Sequence, residues 1–128
     1  MVRTADRTTQ EGHTMPKYVA LIFDDARWEN PEPSLLEPVL QQHYEFEKRN
    51  REAVLGGEAL AWHTTATSIR PDGSGGFLVT DGPFVETKEN LGGFYLLEAA
   101  DLDAAIEIAK QIPMPTDCGV EVRPVLDY

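Results

Sequence analysis

His43 is the residue best suited to chemistry at neutral pH, because an imidazole of ordinary pKa, about 6.5, can give or take a proton there. With Leu36, Val39, Leu40, Phe46 and Glu47 it recurs at the spacing of one helical stripe, which turns it inward on a largely apolar face. Two roles fit that placement: a proton-transfer group in a cleft, or a histidine satisfied in the core or at an interface. A second group follows in Asp81, Glu86, Lys88 and Glu89. Carboxylates act as bases or cation ligands and an ammonium holds an anion, so these residues suit a binding constellation at a cleft mouth. They equally suit a turn fixed by Asp81 followed by a solvated loop. Tyr95, a phenol on a strand, and Arg123, a cation inside an apolar strand, complete the candidate ligand-binding set, each with a structural hydrogen-bonding role as its alternative. His13, His43 and His63 show no metal-ligand spacing, and no metal or cofactor is expected. Cys118, the single cysteine, has no cation near it in sequence to lower its pKa and reads as a bystander thiol.

The elements that must position these residues follow from periodicity. Lys17 to Asp24 contains the continuous apolar run Tyr18 to Phe23, the pattern of a central strand covered on both faces. Asp24 to Pro33 is an acidic loop whose Trp28 folds back or meets a partner. A helix follows with Glu37 as cap and Pro38 at its first position, running to about Glu52. Gly56-Gly57 then reads as a turn, and short strands are expected at Ala59 to Trp62, Thr64 to Arg70 and Gly76 to Thr80. The glycine-rich tip at 72–76 precedes a strand rather than a helix, so it is no phosphate cradle. Asp81 to Pro83 forms a turn with Gly82 at positive φ, Phe84 anchors the loop, and Gly92-Gly93 gives a flexible point before the strand Phe94 to Leu97. Asp101 caps a second helix from Leu102 to Pro113, and Val120 to Val125 is a last strand that Pro124 confines to an edge or an irregular pairing. The order β, α, β-rich middle, α, β is that of an open-faced α+β sandwich.

The segment Asp81-Gly-Pro-Phe-Val-Glu-Thr-Lys-Glu-Asn-Leu-Gly-Gly-Phe-Tyr95 resembles the DGPF branch of the YCII-related family, and the likeness extends over nearly all of Lys17 to Leu126. It takes in the first strand at Lys17 to Asp24, Gly56-Gly57-Glu58, the helix at Leu102 to Pro113 and the strand at Val120 to Val125. The resemblance implies a ferredoxin-like domain with an extra hairpin, paired into a dimeric α/β barrel whose two sheets enclose a cleft. More distant YCII-related proteins carry a histidine near the place of His43, proposed to pair with an aspartate. A link to an extracytoplasmic-function sigma factor is also implied.

Composition narrows the function classes. The chain of 128 residues suits one domain, with 1–15 as a disordered leader, Met15 an alternative start, and 16–128 as the fold. A formal net charge of -11 disfavours nucleic acid and anionic membrane as partners. With no spanning run or signal-peptide core, a cytoplasmic location is the default expectation. Two readings of function remain. One is a small enzyme in which His43 moves a proton on a small organic molecule with Asp81 orienting it, in a cleft where the two side chains converge. The other is a non-catalytic ligand-binding or regulatory module. A homodimer is expected in both, because a sheet with helices on one face must cover the other.

Overall fold

In the computed structural model, which describes residues 15–84, 89–115 and 118–127, six strands and two α-helices alternate along the chain. They are β1 (Lys17–Asp24), α1 (Pro33–Arg49), β2 (Val54–Ala59), β3 (Thr67–Pro71), β4 (Phe77–Asp81), β5 (Asn90–Glu98), α2 (Leu102–Ala109) and β6 (Val120–Pro124). Four of the strands form an antiparallel sheet in the order β2-β5-β1-β6, while β3 and β4 pair as a separate hairpin. This is the ferredoxin-like α+β arrangement with an inserted hairpin. Strand β1 is central, and β6 lies at an edge where Pro124 costs no ladder bond on a further strand.

Alternation along the strands decides which residues meet the helices. Tyr18, Ala20, Tyr95 and Leu97 are buried, and the main core joins Ala20, Tyr95 and Leu97 to Phe46 of α1 and to Ala109 and Ile112 at the end of α2. The intervening Val19, Leu21, Phe94 and Leu96 form the opposite face and are only half-buried in the single chain. One face of β1 is therefore covered by the chain itself, not both.

The first helix begins earlier than its second proline suggests. Glu32 is the cap, Pro33 takes the first position, and Pro38 lies inside the helix. Pro33 satisfies the rule that an N-terminal position needs no N–H. The donor missing at Pro38 would have served the carbonyl of Ser34, an exposed residue whose carbonyl water can reach. The helix ends at Arg49, where Asn50 donates back to the Phe46 carbonyl from both its N–H and its side-chain amide at 3.0 Å. The cap of α2 is as the sequence predicts, with the Asp101 carboxylate accepting from the Ala104 N–H at 2.8 Å.

Gly56 and Gly57 do not turn the chain; they lie within β2, paired to Leu96 and Tyr95. The hairpin tip closes around Asp72, whose Oδ1 accepts from the Ser74 N–H and hydroxyl at 2.8 Å each. Gly82 has φ of 96°, as the turn after β4 requires. Phe84 does not anchor that loop in the core: it is exposed, and its ring lies 4.2 Å from the Arg70 guanidinium carbon. The hairpin packs few apolar groups of its own, and Ile69, Phe77, Leu78 and Val79 are all exposed.

Candidate functional site

Between α1 and the helix-covered face of the sheet lies a cavity of about 560 Å³, within the range that holds a small organic molecule. Its walls are mostly apolar, with Ile22 of β1, Leu36 and Val39 of α1, Trp28, Met114 and Pro115 among the lining residues. Trp28 thus folds back onto the domain. The polar lining includes His43 and Glu47 of α1, Tyr95 of β5 and Asp24 at the end of β1.

Local sequence explains how Tyr95 reaches α1. In register, Tyr95 stands between Ala20 of β1 and Gly57 of β2, the two smallest side chains available. A Cβ at Gly57 would stand 2.7 Å from the Tyr95 ring and would collide with the Phe94 carbonyl oxygen. The absent side chain is what lets the ring lie across β2. Phe46 packs against its other side with ring centroids 4.9 Å apart. One turn earlier on the same helix stripe, His43 places Nδ1 2.8 Å from the Tyr95 hydroxyl oxygen, and that hydroxyl donates to Glu47 Oε2 at 2.7 Å.

The direction of this chain of bonds sets the chemistry. An ionised carboxylate can only accept, so the Tyr95 proton is committed to Glu47. The phenol oxygen is left as acceptor for His43 Nδ1–H, and the neutral imidazole then carries its lone pair on Nε2. Burial pushes the His43 pKa below its ordinary value, partly opposed by the charge of Glu47. Burial and the bond to Glu47 push the Tyr95 phenol well above its usual value, so it stays protonated. The result is a neutral histidine whose ring is oriented by a phenol and a carboxylate and whose free nitrogen is a base.

Asp24 is the second polar feature of the cavity; it follows Ala20 and Ile22 on the helix-covered face of β1, beside a β-bulge in β5. Ile22 pairs with Gly93 and Phe23 with Leu91, so Gly92 is the extra residue on β5. A Cβ at Gly92 would collide with the Asp24 carboxylate. The Asp24 pKa is raised by burial and by neighbouring Asp25, with His63 acting in the opposite sense. Asp24 Oδ1 and His63 Nδ1 are both closed off from solvent without a hydrogen-bond partner.

Of the residues singled out from sequence, the structure brings His43 and Tyr95 together. Asp81 lies elsewhere: it ends β4 opposite Thr67 on the inserted hairpin, is exposed, and does not line the cavity. The carboxylate that acts on His43 is Glu47, one helical turn away on α1. Arg123 is exposed on β6, opposite Val19 and outside the cavity. Glu86 and Lys88 lie outside the described residues. Among the described residues no group of three His, Cys, Asp or Glu side chains could hold a metal ion. Cys118 is buried and lines the cavity. Glu47 and Asp24 are the site residues that sequence reasoning misses. The signal for Glu47 was its place on the His43 stripe, and for Asp24 the adjacent glycines at 92 and 93.

The arrangement defines a ferredoxin-like α+β domain with a cavity under its first helix. The sequence profile of the YCII-related domain matches residues 17–128, and the chain belongs to that family. It is similar to an uncharacterized protein of Rhizobium meliloti (strain 1021), with 42% identity over 76 residues. That match covers 58% of this chain and 61% of the relative, so the chain spans less than two thirds of that protein's length. Among the described residues no helix is long and apolar enough to cross a membrane.

Proposed function

We propose that the chain binds a small organic molecule in the cavity beneath α1 and that His43 Nε2 accepts a hydrogen bond from it, taking the proton where the bound group is acidic enough. The observation that carries this reading is the chain His43 to Tyr95 to Glu47, at 2.8 and 2.7 Å. A histidine needed only for packing has no use for a phenol and a carboxylate that fix its tautomer, whereas a base does. Glu47 stabilises the imidazolium that forms when the proton arrives, in the way a carboxylate behind a catalytic histidine does. The apolar walls hold the body of the molecule and keep water from competing for Nε2. Two copies of the chain pair through the face carrying Val19, Leu21, Phe94 and Leu96, leaving the cavity on the far side of each sheet.

A fragment screen followed by NMR tests this. Ligands of the cavity shift the His43 ring resonances, and Leu36→Trp, which fills the cavity from its wall, abolishes the shifts while the fold persists. Fragments that bind without moving His43, or that bind the filled variant equally well, would place the binding site elsewhere.

A further inference from the structure

We propose that the molecule this cavity takes is an organic cation, a protonated amine on an apolar body, and that Asp24 is its counter-charge. The inference rests on the cavity reading above and adds the chemical class of the ligand.

Two residues with carboxylates on the helix-covered side, Asp24 and Glu47, line the cavity, and among the described residues no Lys or Arg does. Glu47 already has a donor in Tyr95. Among the described residues Asp24 has none: its Oδ1 is closed off from solvent without a hydrogen bond. A carboxylate in that position is costly to ionise unless a donor or positive charge reaches it. The nearest cation in sequence, Arg27, is not that partner, because its guanidinium grips Asp25 through Nε at 3.2 Å and a terminal nitrogen at 2.9 Å. His63 lies close enough to act on Asp24 electrostatically but makes no hydrogen bond to it. The remaining source of positive charge is the cavity, which Asp24 lines, and a cation there acts on the carboxylate as a whole, since Oδ1 itself is closed off from solvent.

A second acceptor belongs to a residue that lines the cavity, His43. His43 Nε2 carries a lone pair once Nδ1–H is committed to Tyr95. An ammonium group, with three donors, matches a site that offers acceptors to be filled. An anion meets carboxylates and, among the described residues, no Lys or Arg. A bare metal ion lacks the three-ligand group it needs among the described residues, and the apolar walls ask for a hydrocarbon body beside the charge. The missing side chain at Gly92 leaves room for the Asp24 carboxylate, since a Cβ there would collide with it.

Three probes of equal size and different charge test the proposal on the full chain: 2-phenylethylamine, protonated at pH 7, 2-phenylethanol and phenylacetate. Their affinities are read from His43 ring shifts in NMR titrations of the wild type and of Asp24→Asn, an isosteric change. The amine is expected to bind at least about tenfold tighter than the alcohol and phenylacetate weakest. In Asp24→Asn the amine loses that advantage and falls within about threefold of the alcohol, whose own affinity stays unchanged. Equal binding of amine and alcohol, tighter binding of phenylacetate, or an amine preference that survives Asp24→Asn each overturns the assignment of the cation while leaving the cavity as the binding site. If none of the three moves His43, both the cation and the cavity reading are wrong.

Discussion

Replacing Tyr95 by phenylalanine removes one oxygen and both bonds it makes, while leaving the ring packed against Phe46 at 4.9 Å. The bond to the Glu47 carboxylate is charge-assisted, worth about 1.5–3 kcal/mol, and the bond from His43 about 0.5–1.5 kcal/mol. Two effects offset these figures. Glu47 is exposed and recovers water when its donor is lost, and a buried phenylalanine needs no partner. The net loss should be about 1–2 kcal/mol, which lowers the thermal midpoint of a domain this size by roughly 4–8 °C. A double-mutant cycle with His43→Ala isolates the shared part, expected at about 0.5–1.5 kcal/mol because the two residues are in direct contact. Melting curves of the wild type, both single variants and the double variant supply all the terms. A midpoint within 1 °C of wild type in Tyr95→Phe, or a coupling indistinguishable from zero, would refute the chain of bonds and leave His43 a packing residue.

Other expectations follow from the same structure. Phe46→Ala empties a site that is 0% exposed at the centre of the core and should cost about 3–5 kcal/mol in chemical denaturation. Asp24→Asn should stabilise the fold: the Asp24 pKa is raised, so ionisation costs folding free energy as pH climbs through that value. The gain of the variant should therefore be absent near pH 3, present at pH 7, and visible as a higher midpoint in melts at the two pH values. Light scattering should return about twice the chain mass of 14.2 kDa, and Leu21→Asp, a charge on the half-buried open face, should return the monomer. The opposite result in either protein would remove that face as the interface.

The parts of this fold that can be read from sequence are those where a local rule and the tertiary fold agree. The apolar run of β1, the Asp101 cap, the positive φ at Gly82 and the proline-limited edge strand β6 all obey chemistry confined to a few residues. Gly57 shows the other case. A double glycine reads as a turn, but here its missing side chain serves Tyr95, thirty-eight residues later, and no local signal says so. Pro38 misleads in the same way, because a proline early in a helix is tolerated once Pro33 has taken the first position. In the site, helical spacing finds His43 and Glu47 on one stripe, yet the choice of a carboxylate partner depends on how β5 crosses α1, which periodicity does not encode. Asp81 has the right chemistry for a partner and sits on the wrong element, the inserted hairpin. Asp24 reads as the first residue of a loop, yet it ends β1 on the face shared with Ala20 and Ile22, where Gly92 leaves room for its carboxylate.

The protonation state of His43 tests the central claim most directly. Long-range proton–nitrogen correlation NMR reports which ring nitrogen carries the proton, and a pH titration of the same signals reports the pKa. The account predicts a neutral ring protonated on Nδ1, with Nε2 bare, titrating below the ordinary value of 6.5 because burial outweighs Glu47. A ring protonated on Nε2, or one that titrates above 6.5, would contradict it.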